Sequence, residues 1–268
     1  MYNISDYSGI TALSWLSQSL NLCKQRCMTE KTKGIVIHFT RYSDSSGIVN
    51  VLTERYGRQA YLARGTGRSG RGTRNVIFQP LMILEIEASH KPGRDVHNMR
   101  SCYLSHVPVS IHCSVTKSAV AIFLAEVLDR VIREEVNDTS LYAFIEESVI
   151  GYDSTTGADP DFHLKFMAKL TRLLGFGPTV PADDGDYLFD VHNGVFCFMP
   201  PAGGNYMNHE QSRIFRILLG EPVTGPAIEG MTGTLRREML TRILGFYDVH
   251  IPGFKNLKSA KILREVFS

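Results

Sequence analysis

The feature that most constrains the fold is a change in hydrophobic period near Pro108. Between Lys33 and Val107 the apolar residues alternate with a period near two, and β-branched and aromatic side chains are frequent, as in strands buried on one face. After Pro108 the period becomes 3.6. Val120, Phe123, Leu124, Val127, Leu128, Val131 and Ile132 form one amphipathic stripe within Thr116–Val136. Strands are predicted at Lys33–Phe39, Gly47–Glu54, Gln59–Arg64, Val76–Ala88 and Asp95–Tyr103. No segment between them is long enough for a helical crossover, so they are expected to close into a small antiparallel barrel of the OB type. Further helices are predicted at Ser140–Ile150, from an Asp159-Pro160 N-terminus to about Gly175, and at His209–Leu219, Leu235–Phe246 and Leu257–Phe267. A short hairpin is expected at Tyr187–Met199. The predicted fold class is a multi-domain α+β arrangement. An OB-fold β-barrel at residues 28–107 is followed by an all-α helical domain at 108–268. Residues 1–27 are expected to be an extension ahead of the fold, with Met28 as a start. Leu13, Trp15, Leu16 and Leu20 have helical spacing, but Lys24 and Arg26 follow the apolar part, the reverse of a secretory signal.

The formal net charge of +2 argues, as an average, against a polyanionic partner. The distribution reverses that reading. From Lys31 to Pro80 the chain carries nine cations, Lys31, Lys33, Arg41, Arg55, Arg58, Arg64, Arg68, Arg71 and Arg74, against only Asp44 and Glu54, so fifty residues hold +7 and the remainder −5. Arginine predominates, and its planar fork suits phosphate and stacks on bases. Arg64, Arg68, Arg71 and Arg74 surround four glycines in a stretch that can follow an irregular phosphate backbone, and Tyr42, Tyr56 and Tyr61 offer stacking faces. Lys33, Arg41, Arg55, Arg58, Arg64, Arg68, Arg71 and Arg74 are the candidate nucleic-acid-binding residues.

Catalytic and metal motifs fail on context. Gly65-Thr66-Gly67-Arg68-Ser69-Gly70 matches a dinucleotide fingerprint in letters, but the chain continues into a β-rich run where that motif needs a helix. Cys102, His106, His112 and Cys113 have ligand chemistry without zinc spacing, and five cysteines with no CxxC fit a reducing compartment. No catalytic residue, metal or cofactor is assigned. The competing class is a metal-dependent nuclease using Asp183, Asp184, Asp186 and His192, and an RNA-binding OB barrel is a further alternative.

Several segments carry a family resemblance. Lys31-Thr32-Lys33-Gly34-Ile35-Val36-Ile37, Tyr42-Ser43-Asp44-Ser45-Ser46-Gly47-Ile48-Val49 and Leu52-Thr53-Glu54-Arg55-Tyr56-Gly57-Arg58 resemble the amino-terminal half of the RecO recombination-mediator family. So do Tyr61-Leu62-Ala63-Arg64-Gly65, the Gly/Arg stretch, Gln79-Pro80-Leu81 and Leu84-Glu85-Ile86-Glu87, while His250-Ile251-Pro252-Gly253-Phe254 with Leu257-Lys258-Ser259 resembles its ending. The resemblance implies a cytoplasmic, nucleoid-associated, non-enzymatic DNA repair and recombination protein. It would bind single- and double-stranded DNA, anneal complementary strands, and act with RecR and the single-stranded DNA-binding protein to load RecA, without membrane contact. Many members carry a four-cysteine zinc module where residues 177–209 here hold only Cys197, so a metal-free loop packed through Tyr187, Phe189, Val195 and Phe196 is expected. The acidic tail of the single-stranded DNA-binding protein is expected in a helical groove rimmed by Arg130 and Arg133, or by Lys165, Lys169 and Arg172.

Overall fold

The computed structural model describes residues 29–43, 46–64, 76–90, 93–132 and 137–267. Five strands, β1 (Thr29–Arg41), β2 (Ser46–Thr53), β3 (Gly57–Arg64), β4 (Ile83–Ser89) and β5 (Val96–Leu104), close a barrel in the order β1-β2-β3-β5-β4. All ladders are antiparallel except β3 with β5, the one pair joined by parallel register. This is the OB arrangement expected from the sequence. One strand differs from expectation. Val76–Phe78 is a single 3-10 turn and β4 begins only at Ile83, after Leu81 takes a φ of 63° that no strand accommodates.

Long β1 is bent by a register shift between Val36 and His38, which lets its first half pair with β4 and its second half with β2. Val36, Val49, Val51, Tyr61, Leu84 and Ile86 fill the barrel. Gly47 is required there, because a Cβ would lie 2.3 Å from the Phe39 ring. Ile35 and Ile37 point the other way and join the helical core with Leu52, Leu81 and Ile83. The apolar run Gly34–Ile37 therefore reflects burial on both faces of β1.

The helices are α1 (Val115–Val131), α2 (Thr139–Ser154), α3 (Phe162–Leu173), α4 (His209–Gly220), α5 (Gly233–His250) and α6 (Ser259–Val266). Ser114 caps α1, Asp138 caps α2, and Asn208 with Gln211 forms a capping box on α4. Asp159 does not cap α3. Asp161 holds that position, and Asp159 instead accepts from the Asp161 amide and from Lys165. The expected hairpin forms as β6 (Leu188–Asp190) and β7 (Val195–Cys197), and a strand the sequence pattern did not show, β8 (Tyr206–Met207), pairs with β6. Phe189, fully buried, packs on Phe196 and Phe215 at ring distances of 4.9 and 4.8 Å, whereas Val195 is exposed.

Two buried carboxylates fix the connections. Asp153 on α2 accepts from the amides of Val109, Ser110 and Ile111 at 2.8, 2.8 and 2.7 Å, and pairs with His106 at 2.9 Å, so the segment leaving the barrel is pinned to a helix. Asp161 accepts from the Ile228 amide and from Arg236 Nε, each at 2.8 Å, and holds the α4–α5 connection.

His163 on α3 is 1% exposed, stacks on Phe267 and meets Phe123 edge-on. Burial, reinforced by Arg236, pushes its pKa down to about 3. The unfolded chain takes up this proton near ~6.5, so stability is expected to fall as pH drops below that value, by up to about 1.4 kcal/mol per pH unit. Urea titrations at pH 7 and pH 5 check this. The wild type should lose more stability than His163→Phe over that interval, and equal losses would refute the assignment.

Candidate nucleic-acid interface

The cations that crowd together in sequence are separated by the barrel. In the β1–β2–β3 ladder Arg41 pairs with Gly47 and Ser46 pairs with Arg64, so Arg41 and Arg64 flank the start of β2 at one end. Lys33, Arg55 and Arg58 lie at the opposite end, where Gly34 pairs with Thr53 and Leu52 with Arg58. Arg68, Arg71 and Arg74 fall outside the described residues, as do Arg133 and the 1–27 extension. In the chain, residues 65–75 follow directly on Arg64.

The two ends have different roles. Arg58, with a side chain 15% exposed, reaches across to α1 and donates to the Asp129 and Ile132 carbonyls at 2.7 and 3.1 Å and to Asp129 Oδ1 at 2.7 Å. It caps the helix C-terminus and satisfies carbonyls that the last turn leaves open. Lys33 pairs with Glu146 of α2 at 3.2 Å. These two expected DNA ligands are tied to the barrel–helix junction, with Arg58 nearly sequestered by it. By contrast Arg41, Arg55 and Arg64 are exposed.

The tyrosines divide similarly. Tyr61 lies wholly inside the barrel with its hydroxyl 2.8 Å from His90 Nε2, which corrects its expected stacking role. Tyr56 is half-buried and already stacked on His90 at 4.0 Å. Tyr42, beside Arg41, is 71% exposed.

The outer face of β1–β2–β3 presents His38, Thr40, Ile48, Asn50, Ala60 and Leu62, held in two cross-strand rows, with no carboxylate among them. Across the barrel Glu85 and Glu87 stand on β4, within 3.7 Å of Lys31 and 3.8 Å of Arg100. Among the described residues the barrel thus has a side without carboxylates that ends in Arg41, Tyr42 and Arg64, and a charge-balanced side. The residues of the acid-free face were missed in the sequence. Alternation marks them as outward-facing, but outward positions on β4 and β5 have the same pattern, and only closure of the barrel separates the two sides.

Among the expected partner-binding cations, Lys165 is corrected. It is 0% exposed and its ammonium is held by Asp159 Oδ2 and the Gly225 carbonyl, each at 3.0 Å. Arg172 is exposed and Lys169 half-buried one turn before it on α3, while Arg130 is exposed in the last turn of α1. The carboxylates of the nuclease alternative do not converge. Asp183 accepts from the Tyr187 hydroxyl, Asp184 pairs with Arg216, and Asp186 pairs with His209. His106 of the Cys/His group is taken by Asp153, and among the described residues no three His, Cys, Asp or Glu side chains are arranged to hold a metal.

Residues 28–107 match the family model for the recombination protein O N terminal region, and residues 114–260 that for the C terminal region. The chain belongs to the RecO family. It is 35% identical over 245 residues to the DNA repair protein RecO of Bacteroides fragilis, an alignment covering 90% of this chain and 100% of that protein. It is 30% identical over 241 residues to the RecO of Phocaeicola vulgatus and 31% over 243 residues to that of Flavobacterium johnsoniae, with the same coverage in both cases. The resemblance read from the barrel segments thus extends over most of the chain, helical part included. Within this RecO-family chain, no helix among the described residues is long and apolar enough to cross a membrane.

Proposed function

We propose that this RecO-family protein acts in DNA repair by binding single- and double-stranded DNA on its barrel and annealing complementary strands, without catalytic turnover. It works with RecR and the single-stranded DNA-binding protein to load RecA. The observation that carries this reading is the asymmetry of the barrel surface. Among the described residues one side lacks carboxylates and ends in exposed Arg41, Tyr42 and Arg64, and in the chain residues 65–75 with Arg68, Arg71 and Arg74 follow. On the other side Glu85 and Glu87 offset Lys31 and Arg100, so the cations there offer a polyanion little net attraction.

Annealing follows from the same charge. Two strands brought to one surface repel each other through their phosphates, and arginines that neutralise both lower that cost, leaving base pairing to drive the product. Tyr42 offers a stacking face to an unpaired base on the way.

The test is annealing of two labelled complementary oligonucleotides coated with the single-stranded DNA-binding protein. The wild type should accelerate pairing, and Arg41→Glu/Arg64→Glu should abolish the acceleration while keeping the wild-type circular dichroism spectrum. No acceleration by the wild type, or binding to RNA with none to DNA, would overturn the reading.

A further inference from the structure

Two adjoining grooves lie against α4 in the helical domain and share Arg213 and Ile217. The first, about 650 Å³, has Val180 and Tyr187 of the connection between α3 and β6 as its apolar wall, with Ile217 facing them. The second, about 500 Å³, continues past Ile217 along Pro226 and Ala227. Tyr187 carries the apolar surface outward. Its ring packs on Phe198 at 4.5 Å, and Phe198 and its neighbour Met199 are 64% and 76% exposed. Neither of these two belongs to the buried core, so folding does not account for a pair of large apolar side chains standing in water beside a groove.

The surroundings are acidic. Asp184, Asp186 and Glu210 line the first groove, and Glu221 and Glu229 the second. Among the described residues the arginines lining them are Arg213 and Arg216, which leaves carboxylates in excess. Arg216 is moreover spent within the protein. It donates to the Asp183 carbonyl and, at 3.2 Å, to Asp184, with its side chain 15% exposed. Asp186, Glu210, Glu221 and Glu229 are all exposed. Part of the negative charge that balances the basic Lys31–Pro80 segment is therefore gathered along one helix.

We propose that this face of α4 docks a basic segment of a partner protein. A bulky apolar side chain of that segment sits against Val180, Tyr187 and Ile217, its neighbours extend over Phe198 and Met199, and flanking lysines or arginines meet Asp186, Glu210 and Glu221. Charge complementarity decides the occupant. The phosphates of a nucleic acid, or the carboxylates of an acidic peptide, would face the same excess of negative charge and be repelled. The inference does not rest on the DNA reading of the barrel and uses none of the cations assigned there.

The probe is a fluorescein-labelled synthetic peptide of lysines and arginines around one tryptophan, titrated by anisotropy against the full chain. Binding is expected, and it should weaken as salt rises. A peptide with glutamates in place of the cations should not bind. Asp186→Lys/Glu210→Lys reverses two exposed charges, and Phe198→Ser/Met199→Ser removes the exposed apolar pair. Each should weaken binding by roughly tenfold or more while keeping the wild-type circular dichroism spectrum and single-stranded DNA binding. Failure of the wild type to bind the basic peptide, equal affinity for the acidic one, or wild-type affinity in both variants would overturn the proposal. So would loss of DNA binding in Asp186→Lys/Glu210→Lys, which would put this face on the path of the DNA. A concentration-dependent dimer of the full chain that Phe198→Ser/Met199→Ser abolishes would overturn it as well, because a second copy would then fill the face.

Discussion

Replacing Asp153 by alanine is expected to cost about 3–5 kcal/mol, a large part of the ~5–15 kcal/mol that holds a typical domain folded. The carboxylate is fully buried, and its removal leaves the amides of Val109, Ser110 and Ile111 without an acceptor. It also leaves the Lys117 ammonium, 1% exposed, without the negative charge beside it. Lys117 then has only neutral acceptors, Ser110 Oγ at 2.7 Å and the Tyr152 and Thr155 carbonyls at 2.9 and 2.8 Å. Chemical denaturation measures the loss, and a change under about 1 kcal/mol would show that the network does not hold the segment. Because both groups belong to one network, Asp153→Ala/Lys117→Met should cost less than the sum of the single changes.

The same residue sets an acid limit. Burial alone would raise the Asp153 pKa, but the hydrogen bonds from the Val109 and Ser110 amides, His106 and the Ile111 amide outweigh it and hold the carboxyl well below the usual range. The unfolded chain is therefore protonated first. The contribution is complete above the ordinary aspartate value near ~3.9 and is lost progressively as pH falls below it. Asp153→Asn should lack that part of the acid dependence.

The second large effect concerns DNA. If Arg41, Arg64, Arg68, Arg71 and Arg74 each neutralise one phosphate, the logarithm of the single-strand binding constant should fall with log salt at a slope of ~3.5, at about 0.7 per contact. A fourfold rise in salt then weakens binding about a hundredfold. Changing all five to alanine should remove most of that slope. Arg58→Ala is the informative control, since it loses its three bonds to α1. It should destabilise the fold by about 1.5–3 kcal/mol while leaving the slope unaltered. A slope that drops with Arg58→Ala but persists in the five-arginine variant would place the DNA at the junction end instead.

Period and charge made much of this protein legible before any coordinates. The alternation between Lys33 and Val107 determines strands, the stripe from Val120 to Ile132 determines a helix, and both follow because side-chain direction along an element is a local property of the backbone. The excess of arginine over fifty residues likewise determines that part of the chain is strongly basic, whatever its shape. Where the basic residues end up is not local. Arg58 and Arg64 are six positions apart on one strand, yet one caps a helix and the other is exposed beside the start of β2. Lys165 looks like any solvated helical lysine until the Gly225 carbonyl and Asp159 close over it. Sequence determined most of the elements and their charge, but not the Val76–Phe78 turn or β8. Only tertiary packing decided which charges remain available, because burial and pairing depend on segments tens of residues away, brought together by the shared core of β1 and the helices.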